Sequence, residues 1–461
     1  MPGQTTRRTF LKQLAAAGAL LPVAGSEAFF TAAPPRKLRH AAIGVGGMGL
    51  SDLRSISAHP DVELVALCDV DVRRLVKAAI EPELARRFPG ARTYRDWREL
   101  LAREGDRIDS VNIAVPDHMH APIAMTALRM GKHVFLEKPL AHDVLECRRL
   151  AEEAGRRPDQ VTQFGIQIHA HIAYRMGVEM VRTGMVGKIV EVHSWCGKGW
   201  TGPPARRPDR ADPVPGHLEW DLWLGTAPAR PFVDGLYHPS EWRRWVDFGT
   251  GTLGDMACHI LDPVFTALDL GAPIRVTSQG APPFEEAWPA RNEIVYEFTG
   301  TRFTAGPTVA CTWYDSGAWP DTKGFELAEG QKLPDAGSVF VGEEGCLLLP
   351  HWAAPRPLPA ARFEGAVREF KRQFTFPPID HYYQFVNACL GRGETHTPFG
   401  YAGSLTEAIL LGLVANRYPG EALCWAAPRL GFVGRPEADR HLRRTYRAGW
   451  EVAGLSDGRT A

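Results

Sequence analysis

His40–Gly49 reads HAAIGVGGMG. The run from His40 to Val45 is apolar and β-rich, and Gly44, Gly46 and Gly49 fall in the spacing G-x-G-x-x-G where such a strand would turn into a helix. At that turn Gly44 permits the tight bend, Gly46 admits a pyrophosphate close to the backbone, and Gly49 lets the helix rest on the sheet. Gly47 and Met48 complete the cofactor-facing turn, whose unpaired N–H groups would meet the phosphates.

Working outward, apolar runs alternate with amphipathic stretches, as βαβ units do. Val62–Cys68 (VELVALC) reads as a second strand and ends at Asp69, where a carboxylate can accept hydrogen bonds from the adenosine ribose. Asp69 and Asp71 would repel a 2′-phosphate and so favour NAD, while Arg73 and Arg74 keep NADP open. The structural alternative for Asp69 is a cap on the next helix. A third strand, Ser110–Val115, leads into Pro116-Asp117-His118-Met119-His120, and a fourth, His133–Leu136, into Glu137-Lys138-Pro139. Both junctions are C-terminal strand ends, the edge at which open α/β sheets bind ligands, so Pro116, His120, Glu137 and Lys138 are expected around the nicotinamide.

Composition narrows the partners. Lys+Arg and Asp+Glu are equal at 53 each, so no global field attracts nucleic acid or an anionic membrane. The eight cysteines are scattered without a C-x-x-C pair, which argues against a zinc site or a disulfide framework, and no metal is expected. At the N-terminus, Thr5–Lys12 (TTRRTFLK) precedes the apolar stretch Leu14–Val23, too short for the roughly 20 residues of a membrane span. It reads as a twin-arginine signal peptide, which predicts export by that machinery to a bacterial periplasm, folded and with cofactor in place, and no permanent anchor. The expected organisation is a signal over 1–33, an NAD(P)-binding Rossmann domain over 36–160, a substrate and oligomerisation domain over 161–420 and a C-terminal extension over 421–461.

Five stretches give the chain a family likeness: IGVGGMG, the CDVD of Cys68–Asp71, AVPDHMHAPIAMTALRMGKHVFLEKPLA from Ala114 to Ala141, GTLGDMACHILD from Gly251 to Asp262, and LTEAILLGLVANR from Leu405 to Arg417. In these it resembles the Gfo/Idh/MocA family of oxidoreductases. The resemblance implies an α/β fold class: an N-terminal Rossmann domain, then an α+β domain whose large, open, mostly antiparallel sheet carries the substrate pocket and often mediates homo-oligomerisation. Compatible strands are Ile189–Trp195, Glu293–Phe298, Thr308–Trp313 and Gly337–Val341, and compatible helices are Asp143–Ala154 and Ile172–Arg182.

Oxidising a secondary alcohol requires a base for the hydroxyl proton while hydride leaves the same carbon. Lys138, Asp255 and His259 suit those roles. Asp255 and His259 are spaced i, i+4 and stack on one helical face. His259 is the first choice of base because an imidazole of pKa about 6.5 is mostly neutral at working pH. Lys138 would hold the substrate oxygen, or act as base if burial lowered its pKa, and Asp255 would orient the hydroxyls. Taken singly, Asp255 could cap its helix, His259 could be a core histidine and Lys138 a turn lysine. Asp262 could support His259, although Pro263 should interrupt the helix there.

Six of the thirteen tryptophans fall between Trp195 and Trp245. Aromatic faces suit the C–H face of a sugar, so Trp195, Tyr237, Trp242 and Arg243, with Gln167 and His169, are expected to contact a carbohydrate or polyol. Trp220 and Trp223 read as core. Three functions follow. One is an NAD(P)-dependent sugar or polyol oxidoreductase with a tightly held nicotinamide, recycled in place because a periplasm supplies no free cofactor. The alternative is an NAD-dependent glycosidase, in which transient oxidation acidifies the neighbouring C–H, the aglycone is eliminated, water adds and hydride returns. The third is a sugar-binding protein built on an inactive dehydrogenase.

Overall fold

Strand β1 (Leu38–Ile43) lies in parallel register between β2 (Val62–Cys68) and β4 (Ser110–Ile113) in the computed structural model, which describes residues 36–200 and 206–456. The twin-arginine leader and its cleavage sites lie outside the described residues. With β3 (Arg92–Tyr94), β5 (His133–Glu137) and β6 (Thr162–Gly165) the sheet has the order β3-β2-β1-β4-β5-β6, all parallel. Connections leave β1 in opposite directions, so a crevice opens at the carboxyl ends of β1 and β4. The helix Met48–Ala58 starts at that crevice and buries Leu50, Leu53 and Ile56 against the sheet. The helix Val144–Gly155 begins on a reciprocal capping box between Asp143 and Glu146.

The second sheet has nine strands. They are β7 (Ile189–Cys196), β8 (Arg275–Ser278), β9 (Asn292–Thr299), β10 (Thr308–Asp315), β11 (Ala336–Gly342), β12 (Cys346–Pro350), β13 (Arg356–Leu358), β14 (Ala422–Ala426) and β15 (Gly431–Phe432). Their order is β13-β12-β11-β7-β10-β9-β8-β14-β15, and only the β7/β10 pair is parallel. Buried and half-buried residues alternate along β9, as on a sheet with one face on the core. The expected mostly antiparallel second sheet is therefore present.

The helix Phe399–Ala415 is apolar nearly all round and buried along most of its length. A helix of that kind needs cover on every side, and it packs between Val144–Gly155 of the first domain, Gly251–Ile260 and the nine-stranded sheet. The stretch expected as an extension is divided. Ala422–Ala426 pairs with β8 inside the large sheet, while Arg444 reaches back to Glu146 and the His118 carbonyl of the first domain.

Between β7 and the helix Gly251–Ile260 runs a long connection that returns to the Rossmann domain. Val72 donates to the His217 carbonyl at 2.8 Å and Glu219 to the Val70 carbonyl at 3.0 Å. Trp220, Trp223, Tyr237, Trp245 and Phe248 stack into an aromatic wedge within this connection. Among the described residues no helix is long and apolar enough to cross a membrane.

Candidate active site

One cavity of about 540 Å³ runs from the glycine turn to residues of the second domain. Gly44, Gly46, Gly47 and Met48 line its dinucleotide end. Gly44 has φ +81°, and a Cβ there would stand 2.3 Å from the Ala114 carbonyl oxygen. Gly49 does not line the cavity; a Cβ on it would meet the Gly44 carbonyl oxygen at 2.0 Å, so it serves the helix contact. The atoms nearest a Cβ on Gly46 all belong to the flexible Arg74 side chain, so this space can be vacated for a phosphate. The cradle, with an uncapped helix start at Gly47, fits a dinucleotide.

Asp69 also lines the cavity and accepts the Val45 N–H at 3.0 Å and the Asp71 N–H at 2.9 Å. Burial pushes its carboxyl up against those bonds. The cap of the next helix is Asp71, through the Arg73 N–H, which leaves Asp69 on the crevice. Asp71 is also bonded by His238 at 2.9 Å and by the Arg73 guanidinium. Burial works to raise its carboxyl, but these partners bring it to about 2.

At the opposite end stand Pro116, His120, Glu137 and Lys138. The His120 ring lies 2.6 Å from the Pro139 carbonyl and 2.8 Å from that of Val115, and so ties the ends of β4 and β5 together. Burial pulls it down to about 4, leaving a neutral ring that donates one N–H at a time. Glu137 is pushed up to about 7 by burial, although the Lys138 charge opposes the rise. Asp117 accepts the Thr250 N–H at 3.1 Å and its hydroxyl at 2.6 Å, and so fixes the start of the helix Gly251–Ile260 against the Rossmann domain. Burial raises that carboxyl to about 7.

Lys138 donates to Asp255 Oδ1 at 2.6 Å and to the Asp255 carbonyl at 2.8 Å. Lys198 and the Trp200 indole N–H reach Oδ2 at 2.9 and 2.8 Å, and Arg243 reaches Oδ1 at 3.1 Å. Burial alone would raise the Asp255 carboxyl, yet the three cations hold it well below the ordinary range. Burial likewise works to lower the Lys138 ammonium, but Asp255 and Glu137 outweigh it and the net shift is upward. The condition under which Lys138 would serve as base is thus not met. His259 moves the other way: burial, then the Lys138 charge and His351, hold it well below 6.5, so the ring is neutral. Its Nδ1 is buried without a hydrogen-bond partner among the described residues. Asp255 stands in the interior of the helix Gly251–Ile260, which removes the capping alternative.

The expected contact residues separate into two groups. Gln167, Trp242 and Arg243 line the cavity, with Gln167 Oε1 buried and unpartnered among the described residues and the Arg243 guanidinium 4.3 Å over the Trp242 ring. His169, Trp195 and Tyr237 do not line it. His169 turns to Asp262 at 2.9 Å, so Asp262 holds that ring rather than His259, and the helix breaks at Leu261 before Pro263. Trp195 is fully buried and donates to the Pro334 carbonyl at 2.7 Å, and Tyr237 is fully buried in the aromatic wedge. Sequence reasoning missed Lys198, His351 and Trp352, which line the cavity, and Trp200 beside Asp255. Lys198 follows the end of β7 and His351 that of β12; polar residues just past strand ends were the available signal.

Residues 38–164 match the family model described as "Oxidoreductase family, NAD-binding Rossmann fold", and residues 178–303 match "Oxidoreductase family, C-terminal alpha/beta domain", together more than half of the chain. The chain belongs to the Gfo/Idh/MocA oxidoreductase family. Its first domain is accordingly an NAD-binding Rossmann domain. Among curated relatives, the alpha-N-acetylgalactosaminidase of Shewanella oneidensis is 32% identical over 197 residues, 41% of each chain. The chain thus matches about two fifths of that relative's length. Among solved structures of the same fold, the WlbA dehydrogenase from Bordetella pertussis, in complex with NADH and UDP-GlcNAcA, has a TM-score of 0.57 at 18% identity, over 85% of this chain and 99% of that one. An inositol dehydrogenase homologue from Azotobacter vinelandii, complexed with NADH and myo-inositol, has a TM-score of 0.54 at 17% identity, over 85% and 98%.

Proposed function

We propose that this protein is an NAD-dependent oxidoreductase that moves hydride between a sugar or polyol hydroxyl carbon and a retained nicotinamide. The observation that carries the reading is one cavity containing the glycine turn, the Lys138–Asp255 pair at 2.6 Å and a neutral His259. Asp69 at the ribose end supports NAD over NADP. When bound, the nicotinamide supplies the hydride acceptor.

The chain's own residues supply the proton chemistry. His259, neutral and with a free buried nitrogen, takes the hydroxyl proton. Lys138, kept charged by Asp255, holds the substrate oxygen and stabilises the developing alkoxide. Gln167, whose Oε1 lacks a partner, accepts a neighbouring substrate hydroxyl. The twin-arginine sequence supports export, and export supports a cofactor reset in each cycle.

The curated relatives favour a second reading with no net redox change, since glycosyl hydrolase family 109 proteins lead them. In it the same base draws a proton from the carbon beside the oxidised one, and the aglycone departs. A panel of free sugars and aryl glycosides, followed by absorbance of reduced nicotinamide and by aglycone release, tests both. Reduced nicotinamide accumulating with a free sugar supports the dehydrogenase, and aglycone release without it supports the glycosidase. Neither signal in protein that retains nucleotide would leave only a binding function.

A further inference from the structure

Just beyond β12 the chain makes a tight turn that puts His351 and Trp352 on the cavity wall, among residues of the proposed active site. Trp352 has φ +66°, a left-handed conformation that a bulky side chain rarely adopts. The strain is not offset by burial, because the residue is 52% exposed, whereas Trp242 on the same cavity is 6% exposed. A backbone outlier of this kind points to a functional constraint, and here it holds an exposed ring at the cavity where a ligand can supply the missing contact.

The surroundings fix its position relative to the chemistry. The Trp352 ring meets His351 at 5.3 Å and His171 at 5.2 Å, at interplanar angles of 63° and 75°. His351 is anchored by the hydroxyl of buried Tyr174 at 2.7 Å, and its ring lies 6.0 Å from that of His259. From the proposed base to the indole is therefore two ring spacings. A sugar ring whose hydroxyl reached His259 and Lys138 would fill the inner part of this path and leave Trp352 at its outer end.

We propose that Trp352 is a stacking platform for a second ring and a determinant of specificity, so that the natural substrate is a glycoside or oligosaccharide rather than a free monosaccharide. The proposal rests on the carbohydrate reading given above and narrows its substrate class. The indole offers an apolar face to the C–H side of a pyranose or to an aryl aglycone, and His171 and His351 border it with polar edges.

The test uses full-length protein with its retained dinucleotide, as wild type, Trp352→Ala and Trp352→Phe. Calorimetric binding and turnover are measured with common hexoses and N-acetylhexosamines, each as free sugar, methyl glycoside, phenyl glycoside and disaccharide. Trp352→Ala is expected to weaken two-ring compounds about 10-fold, the scale of one aromatic stacking contact, and to raise KM with little change in kcat. Free sugars and methyl glycosides should change less than about twofold, and Trp352→Phe should restore most of the loss. Equal loss across the panel, no loss, or a changed oligomeric mass in Trp352→Ala would overturn the platform. Selective loss of two-ring binding without any turnover would keep the platform and defeat the proposed chemistry. If no member binds, both fall.

Discussion

The connection between β7 and the helix Gly251–Ile260 contributes to two neighbourhoods that use similar residues in opposite ways. In the aromatic wedge, Trp220 stacks on Trp223 and Tyr237, Phe248 meets Trp223 and Tyr237 edge to face, Trp245 meets Tyr237 edge to face, and the Trp245 N–H ends on the Leu236 carbonyl at 3.0 Å. Arg230, paired with Asp247, lies over Phe248 there, whereas around Asp255 the cations over Trp200 and Trp242, Arg243 over both and Lys198 over Trp200, also reach the cavity-lining carboxylate. The wedge packs its rings against one another, with Trp223 also reaching the cavity wall, and joins the connection to the Rossmann domain. The charged group turns its polar atoms toward the cavity. Aromatic density alone therefore does not mark the site; the cations over Trp200 and Trp242 do, because they also reach the cavity-lining carboxylate of Asp255.

The wedge should dominate stability. Trp245→Ala is expected to cost about 3–5 kcal/mol in denaturant unfolding, as for other fully buried large rings, while the folded fraction retains turnover within a few-fold. The charged group should dominate chemistry. Lys138→Ala and His259→Ala are each expected to slow turnover roughly 100-fold, about 2.7 kcal/mol of barrier, with dinucleotide retention and unfolding midpoint nearly unchanged. A large midpoint shift in either would blur the division between the two regions.

Asp255→Asn should sharpen it. The variant removes the main charge holding Lys138 above its ordinary range, so burial then pulls the ammonium down. Turnover should fall about tenfold, and the alkaline limb of the pH profile should move to lower pH, because activity requires the protonated lysine. A pH-linked effect on stability belongs to the Asp117–Thr250 contact between the domains. Asp117 is raised from 3.8 to about 7, so its protonated form is favoured in the folded state, and its contribution to stability declines as pH rises across that interval. Asp117→Asn keeps an acceptor for Thr250 and should flatten this part of the stability profile, measured by thermal unfolding across pH.

Much of this was readable in the sequence because it is local. Continuous apolar runs between glycine turns give the parallel strands, and residues following those strands lie at the crevice by construction. Lys138, Asp255 and His259 stand at a strand end and at an i, i+4 spacing within two of the stretches that carry the family resemblance. The losses have equally physical causes. Tryptophan density does not distinguish Trp242 on the cavity from Trp195 in the core, since sidedness depends on the register of β7 for Trp195 and on the phase of the 3₁₀ turn Glu241–Arg244 for Trp242. Gln167 and His169 share the 3₁₀ turn Gln167–Ala170, where residues two apart project about 120° from each other, so one faces the cavity and the other Asp262. His351 and Trp352 follow the end of β12, and the pairing of β12 with β11, a non-local contact, is what fixes that strand end within the sheet.

The roles of His259 and Lys138 are tested most directly by the pH dependence of kcat/KM, measured on wild type and His259→Ala with the first active sugar or glycoside. With His259 as base and Lys138 as the charged partner, the wild-type acid limb lies well below 6.5 and disappears in the variant. Activity that rises only as Lys138 loses its proton, above 10.5, or an acid limb unchanged in His259→Ala, would contradict it.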